Sequence, residues 1–204
     1  MGELLIFTEK KVRPKGVNPR ALPRHLEKFL FHSDFQRLSS LSLPIFALPS
    51  PPLVLYPACG VDILYVLLFL QKAVPHSAQI NLIMNDIDNT LGMIKTILDE
   101  VSISFAETTS GITFYWHHLL VKLQFRPGNI FTLLAELPAF DIYFERAFRI
   151  MKDEDSHYEQ KVFQKLKPGG ILISDSGYQS QPLQRIPVLS ALSSYGEMIM
   201  GIKK

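Results

Sequence analysis

A chain of 204 residues can bury one substantial hydrophobic core and falls short of two. Its 47% hydrophobic and 20% charged residues are ordinary for a globular domain, and a formal net charge of +2 argues against a dedicated nucleic-acid binder, which carries a dense basic face. The single cysteine, Cys59, excludes an intrachain disulfide and fits a reducing compartment.

The run Leu4-Leu5-Ile6-Phe7 is too brief for a signal-peptide core, and Ile6 stands where an N-myristoylation signal wants Ser or Thr. The longest apolar run, Ile63 to Leu70, is too short to cross a bilayer, so the expectation is a cytoplasmic protein without a membrane partner. Lys10, Lys11, Arg13, Lys15, Arg20 and Arg24 are interspersed with Pro14, Pro19 and Pro23. This basic stretch either holds an anionic substrate or forms a solvated tail. A helix is predicted from about Arg24 to Leu38, with Leu26, Phe29, Leu30 and Leu38 as its apolar positions. Pro44, Pro49, Pro51 and Pro52 then mark a connector, because proline lacks the donor that a helix or central strand needs. The expected organisation is an extension over residues 1–52 packing over a ligand cleft, followed by one domain over 53–204.

From Leu53 the pattern alternates. Leu53 to Tyr56 reads as a buried strand, Asp62 to Ala73 as a helix, and Gln79 to Met84 as a second strand. Asp88 is the expected cap of a helix whose apolar residues are Leu91, Ile94, Leu98 and Val101. Between Val101 and Leu120 the signal is weak, although Ile112 to His118 offers an added strand. Val121 to Phe125 is a strand, Ile130 to Leu137 a short helix, and Phe140 to Phe144 another strand. Asp153, Glu154 and Asp155 suit the start of a helix that ends in Lys165 and Lys167, stopped by Pro168-Gly169-Gly170. Ile171 to Ser174 is a further buried strand, and Ser176 to Lys204 leaves room for one helix and one strand over Glu197 to Ile202. Repeated strand–helix units predict an α/β fold: a doubly wound, mostly parallel sheet with helices on both faces.

In such sheets ligands bind beyond the carboxyl ends of the strands, near the point where strand order reverses. That rule selects Tyr56 to Asp62, Asn85 to Asp88, Pro127 to Ile130, Phe144 to Phe148 and Asp175 to Tyr178. Ala58 and Gly60 allow close approach of a ligand to the backbone. Asp86, after a buried strand, can accept both hydroxyls of a ribose, or it can cap the next helix; Asp88 is assigned the cap and Asp86 the ligand. Asn129 can bond an adenine amino group with Ile130 covering the ring, though asparagine in a Pro-Gly-Asn turn is as often a turn residue. Cys59 has no histidine partner by spacing and reads as a small turn residue. His117 and His118 would face opposite sides of a strand, and no Cys/His spacing resembles a zinc site.

Leu53 to Gly60, Ile80 to Asp86, Phe140 to Phe144, and Leu166-Lys167-Pro168-Gly169-Gly170-Ile171-Leu172-Ile173 follow one another in an order that resembles the class I (Rossmann-like) S-adenosylmethionine-dependent methyltransferase family. The resemblance covers roughly Leu53 to Asp175. It implies a sheet with the first strand central and the third at one edge, S-adenosylmethionine as cofactor, and methyl transfer to an unidentified acceptor. It places Ala58, Gly60 and Asp62 along the methionine part, Asp86 on the ribose, and Asn129 and Ile130 on the adenine. Tyr56 and Ile87 complete the expected cofactor-binding set, and Glu145, at the end of the fourth strand, is the expected catalytic contact to the acceptor. The chain departs from the family where Tyr56 and Pro57 replace an acid, where Gly60 is the only glycine of its turn, and where Asn129 replaces an acid. It lacks the Asn/Asp-Pro-Pro-Tyr sequence of enzymes that methylate amide or base nitrogens, so a small-molecule substrate is expected. Two alternatives stand beside this reading. One is a non-catalytic binding or scaffold protein of the same fold; the other is a nicotinamide-dependent oxidoreductase, which the absent Gly-x-Gly-x-x-Gly pattern disfavours.

Overall fold

Unbroken apolar runs give the sheet its centre. In the computed structural model, which describes residues 28–193 and 196–204, the elements in chain order are α1 (His32–Ser40), β1 (Leu53–Tyr56), α2 (Ile63–Ala73), β2 (Gln79–Asp86), α3 (Leu91–Glu100), β3 (Phe105–Thr108), β4 (Gly111–Trp116) and β5 (Leu119–Pro127). They continue with α4 (Ile130–Glu136), β6 (Phe140–Phe144), α5 (Arg149–Lys152), α6 (Tyr158–Lys165), β7 (Leu166–Ser174), β8 (Leu183–Ile186), a 3₁₀ turn (Ser190–Leu192) and β9 (Ile199–Lys203). The nine strands form one sheet in the order β3-β4-β5-β2-β1-β6-β7-β9-β8. The five central strands, β5-β2-β1-β6-β7, run parallel, and the additions at both edges pair antiparallel. This is the doubly wound α/β fold, with strand order reversing between β1 and β6.

One face of the sheet carries α1, α2 and α3 in a core built around Val54, Phe69, Leu82 and Phe144; the other carries α4 and α6 around Leu55, Tyr143 and Leu172. Helix α2 is buried on almost every side, with Ile63 to Leu70 and Ala73 all inaccessible. A helix that is apolar all round needs cover on its outer side as well as its inner one. The segment before β1 supplies it. Leu30, Leu38 and Leu41 join the same core, Lys72 Nζ donates to Ser39 O at 2.9 Å, and Arg37 Nη1 donates to Ala191 O at 2.9 Å.

Several expectations are corrected. Among the described residues the helix begins at His32, with Phe29 exposed before it; the start of the expected helix, Arg24 and Leu26 included, lies outside the described residues. Thr90, not Asp88, is the N-cap residue of α3, and the side-chain acceptor there is Asn89 Oδ1, which takes the Leu91 N–H at 3.3 Å. β5 is not an edge, because β4 and the unforeseen β3 extend the sheet beyond it. The helix expected over 153–167 is α6, which begins only at Tyr158, and the short α5 before it was not expected. Lys167-Pro168-Gly169-Gly170 enters β7, where the β6–β7 register shifts between Phe140 and Ile142. Both a β8 and a β9 follow, with only a 3₁₀ turn where a helix was expected.

Gly111 opens β4 opposite Gln124 of β5, and a Cβ there would lie 1.9 Å from Leu123 O. Gly111→Ala is expected to cost about 1–3 kcal/mol through overpacking. Gly92, in α3, has nothing within 4 Å of such a Cβ, and its replacement by Ala is expected to be neutral or to stabilise by up to about 1 kcal/mol. Denaturant titration of the two variants checks the contrast.

Candidate functional site

The carboxyl ends of β1, β2 and β5 are joined through Asn85 and Asp86. Asn85 is buried; its main-chain O accepts from Cys59 N at 3.0 Å, and its Nδ2 donates to Arg126 O at 2.6 Å and Gly128 O at 2.8 Å. Asp86 O accepts from Gly128 N at 2.8 Å, and Asp86 Oδ2 accepts from Gly60 N at 2.7 Å. Thr90 Oγ1 closes the set by donating to Gly60 O at 2.6 Å. The turn after β1 folds back through two left-handed residues, Ala58 (φ 44°) and Gly60 (φ 50°), which the small side chains permit.

These loops enclose a cleft of about 250 Å³. Six of the eight expected cofactor residues line it: Ala58, Gly60, Asp86, Ile87, Asn129 and Ile130. Phe131, Phe148, Met151 and Glu154 form the facing wall, with the Phe131 and Phe148 rings stacked at 6.0 Å. Phe148 falls in a strand-end cluster that the sequence singles out; Met151 and Glu154 lie on or just beyond α5, an element the sequence hides. Asn129 also caps α4, its Oδ1 accepting the Phe131 N–H at 2.8 Å. A larger hollow of about 470 Å³ lies along β2, β4 and β5, lined by Asn81, Thr113, Lys122 and Gln124. It follows strand faces rather than gathering the strand ends.

Tyr56 and Asp62 do not line the cleft. Tyr56 is buried and donates through its hydroxyl to Asp62 Oδ2 at 2.9 Å. Asp62 Oδ2 also receives Arg146 Nη1 at 3.3 Å. Burial pushes the Asp62 carboxyl up to about 6, against the opposing pull of Arg146 and of the Tyr56 hydrogen bond. Burial and the nearby Asp86 push the Cys59 thiol upward as well, the reverse of an activated nucleophile. His117, at φ 53°, and His118 form the β4–β5 turn rather than a strand. Among the described residues no group of three His, Cys, Asp or Glu is placed to hold a metal ion, and no helix is long and apolar enough to cross a membrane.

Glu145 requires a correction. Its main-chain N–H donates to Ile173 O at 2.9 Å, which carries the β6–β7 ladder one residue past β6. Two residues from Tyr143, its side chain therefore points to the same face of the sheet. There it is fully buried, accepting from Ser174 Oγ at 2.5 Å, Tyr143 OH at 2.6 Å, Tyr178 OH at 3.3 Å and the Lys152 ammonium. Burial raises its pKa, and Lys152 is the strongest influence in the other direction. This carboxylate is enclosed and satisfied, and it does not line the cleft.

No family model matches the sequence, and no curated protein matches it. Solved structures do. A precorrin 8W decarboxylase from Methanobacterium thermoautotrophicum is 12% identical over 70% of this chain and 61% of that chain, with a TM-score of 0.40. A methyltransferase from Geobacter sulfurreducens is 13% identical over 92% of this chain and 97% of that one, with a TM-score of 0.44. A SAM-dependent methyltransferase from Thiobacillus denitrificans, solved in complex with S-adenosyl-L-homocysteine, is 15% identical over 77% of this chain and 55% of that one, with a TM-score of 0.43. The chain thus spans less than two thirds of the first and third of these proteins. All three are likenesses of fold between distant sequences.

Removing one partner of the buried pair should be costly. Lys152→Met leaves the Glu145 carboxylate unpaired and is expected to destabilise by about 3–5 kcal/mol, with most of the loss recovered in the double variant Lys152→Met/Glu145→Leu, as chemical denaturation reads out. A second outcome concerns pH. The Asp62 carboxyl is raised in the folded protein from an ordinary 3.8 to about 6, so its contribution is fully present below the lower value and lost as pH rises through the higher. Relative to Asp62→Asn, the wild type should lose stability as pH is raised across that interval; melting the two proteins in parallel at a series of pH values measures it.

Proposed function

We propose that the cleft binds S-adenosylmethionine and that the protein transfers its methyl group to a small-molecule acceptor. One observation carries this reading. The ionisable side chains on the described cleft wall are two carboxylates, Asp86 and Glu154, set among Ile87, Ile130, Phe131, Phe148 and Met151, with no lysine or arginine between them. An apolar slot with acidic groups suits a purine, a ribose diol and a cationic sulfonium. It repels the diphosphate of a nicotinamide dinucleotide, which wants a glycine-rich amide cradle or a cation. A net charge near neutrality favours a small acceptor over nucleic acid, and the buried, unactivated Cys59 thiol suits a cytoplasmic setting.

In this reading Asp86 keeps Oδ2 on the Gly60 turn and offers Oδ1 to the ribose. Ala58 and Gly60 leave room for the thioether side, and Ile87, Ile130 and Phe131 enclose the base. The cofactor supplies a methyl carbon already activated by its sulfonium. The residues of the cleft have to exclude water and hold the donor in line with the acceptor. A second reading, binding without transfer, has one specific support: Glu145, the expected contact to the acceptor, is enclosed and does not line the cleft. Transfer of a labelled methyl group to small-molecule extracts separates the two readings.

Calorimetry should show S-adenosylhomocysteine binding and no binding of NAD. Asp86→Asn keeps a carbonyl oxygen for the Gly60 N–H but loses the ionised acceptor. It is expected to weaken S-adenosylhomocysteine at least about tenfold with folding intact. Unchanged affinity, or NAD binding as tightly, would sink the proposal.

A further inference from the structure

Arg146 stands just past β6 and Asp62 at the start of α2, so the two flank the β1/β6 point at which strand order reverses. Open α/β sheets hold ligands at such points. Glu145 turns to the α6 face, and its neighbour Arg146 turns to the other, where the guanidinium lies 3.9 Å over the Tyr65 ring. Nη1 reaches Asp62 Oδ2 at 3.3 Å, and Nη2 reaches Asp34 Oδ2 at 2.8 Å. Nε is buried and, among the described residues, has no acceptor.

Nε–H and Nη2–H project from one edge of a guanidinium in the fork that grips a carboxylate through two parallel bonds. Asp34 fills only half of that fork. Its Oδ2 sits on Nη2, while its Oδ1 lies 3.5 Å from Arg37 Nη1, within its own helix. A buried donor left unpaired is costly, and a carboxylate seated squarely would satisfy it. The fork is thus occupied, imperfectly, by a carboxylate from the segment that covers α2. It is also close to the cleft: Asp62 lies two residues beyond Gly60, which lines the cleft wall.

We propose that the Nε/Nη2 edge of Arg146 receives the α-carboxylate of the amino-acid tail of the nucleoside bound in the neighbouring cleft, and that Asp34 is a built-in substitute which the ligand displaces. The proposal rests on the reading of the cleft given above. Asp62, already beside the guanidinium, is the acid for the ammonium of the same tail. Helix α1 need not leave when Asp34 yields, because the Arg37–Ala191 and Lys72–Ser39 hydrogen bonds hold it independently.

The test compares two probes on the full chain by calorimetry: S-adenosylhomocysteine, and 5′-methylthioadenosine, which keeps the nucleoside and thioether but has no amino-acid tail. Arg146→Met should lose at least about tenfold in affinity for the first and nothing for the second, which also reports that the variant is folded. Asp34→Asn, by weakening the competitor, should bind S-adenosylhomocysteine several-fold more tightly, with 5′-methylthioadenosine again unchanged. The proposal is overturned if Arg146→Met leaves S-adenosylhomocysteine binding intact, if both probes weaken together, or if Asp34→Asn weakens binding. A wild type that binds both probes equally refutes this inference alone; one that binds neither refutes the reading of the cleft and this inference with it.

Discussion

At the carboxyl end of the sheet three loops meet, and each brings main-chain groups that no ladder can satisfy. The Asn85–Asp86 pair satisfies them. The Asn85 amide spans two carbonyls of the β5 turn, its own carbonyl takes the Cys59 N–H, and Asp86 takes the N–H groups of Gly60 and Gly128. Buried polar groups without partners are rare because each costs desolvation free energy. The position of the cleft therefore follows from this arrangement, since its walls are the loops so joined. Asp86 is placed under a double demand, because the oxygen that fixes the turn belongs to the same carboxylate that lines the cleft.

The end of β6 shows how pleat alternation divides chemistry. Glu145 and Arg146 are adjacent and charged, yet they serve opposite faces. Glu145 lies beneath α5 and α6 with Lys152 and three tyrosines, a closed polar cluster in which the hydroxyls and the ammonium offset the desolvation of the carboxylate. Arg146 emerges toward α1 and α2, partly exposed and shared among Asp34 of α1 and Asp62 and Tyr65 at the start of α2. The first arrangement has no vacancy for a ligand; the second has an unfilled donor.

Much of this was legible in the sequence for a definite reason. β1 and β6 are continuous apolar runs, buried on both faces, and their limits coincide with those read from the residues. The cleft residues Ala58, Gly60, Asp86, Ile87, Asn129 and Ile130 follow from knowing where strands end, which the sequence reveals. The face onto which a residue points is harder to read. By its place at a strand end Glu145 reads as a contact to the acceptor, whereas the ladder continues through its N–H and its side chain is buried. β3 was hidden because Phe105-Ala106-Glu107-Thr108 is a short, exposed edge with little apolar content. Asp88 has the composition of a cap, but the geometry of the turn puts Thr90 at the N-cap position and the Asn89 side chain on the Leu91 N–H.

Helix α2 ties these features to one another. Because it is apolar on almost every side, its outer face cannot be left to water, and the segment from Leu30 to Leu41 covers it. That cover brings Asp34 to the sheet end where Arg146 emerges, so a requirement of stability delivers a carboxylate to a place where a ligand carboxylate would compete. The coupling is reciprocal. Whatever strengthens the hold of Arg146 on Asp34 weakens its hold on a ligand by the same free energy, and a ligand that takes the guanidinium loosens α1 by that amount. The extension before β1 is for this reason more than a surface ornament. Its packing over Leu30 to Leu41 is fixed by α2, whereas the Asp34–Arg146 ion pair at the switch point would, on this proposal, compete with a ligand.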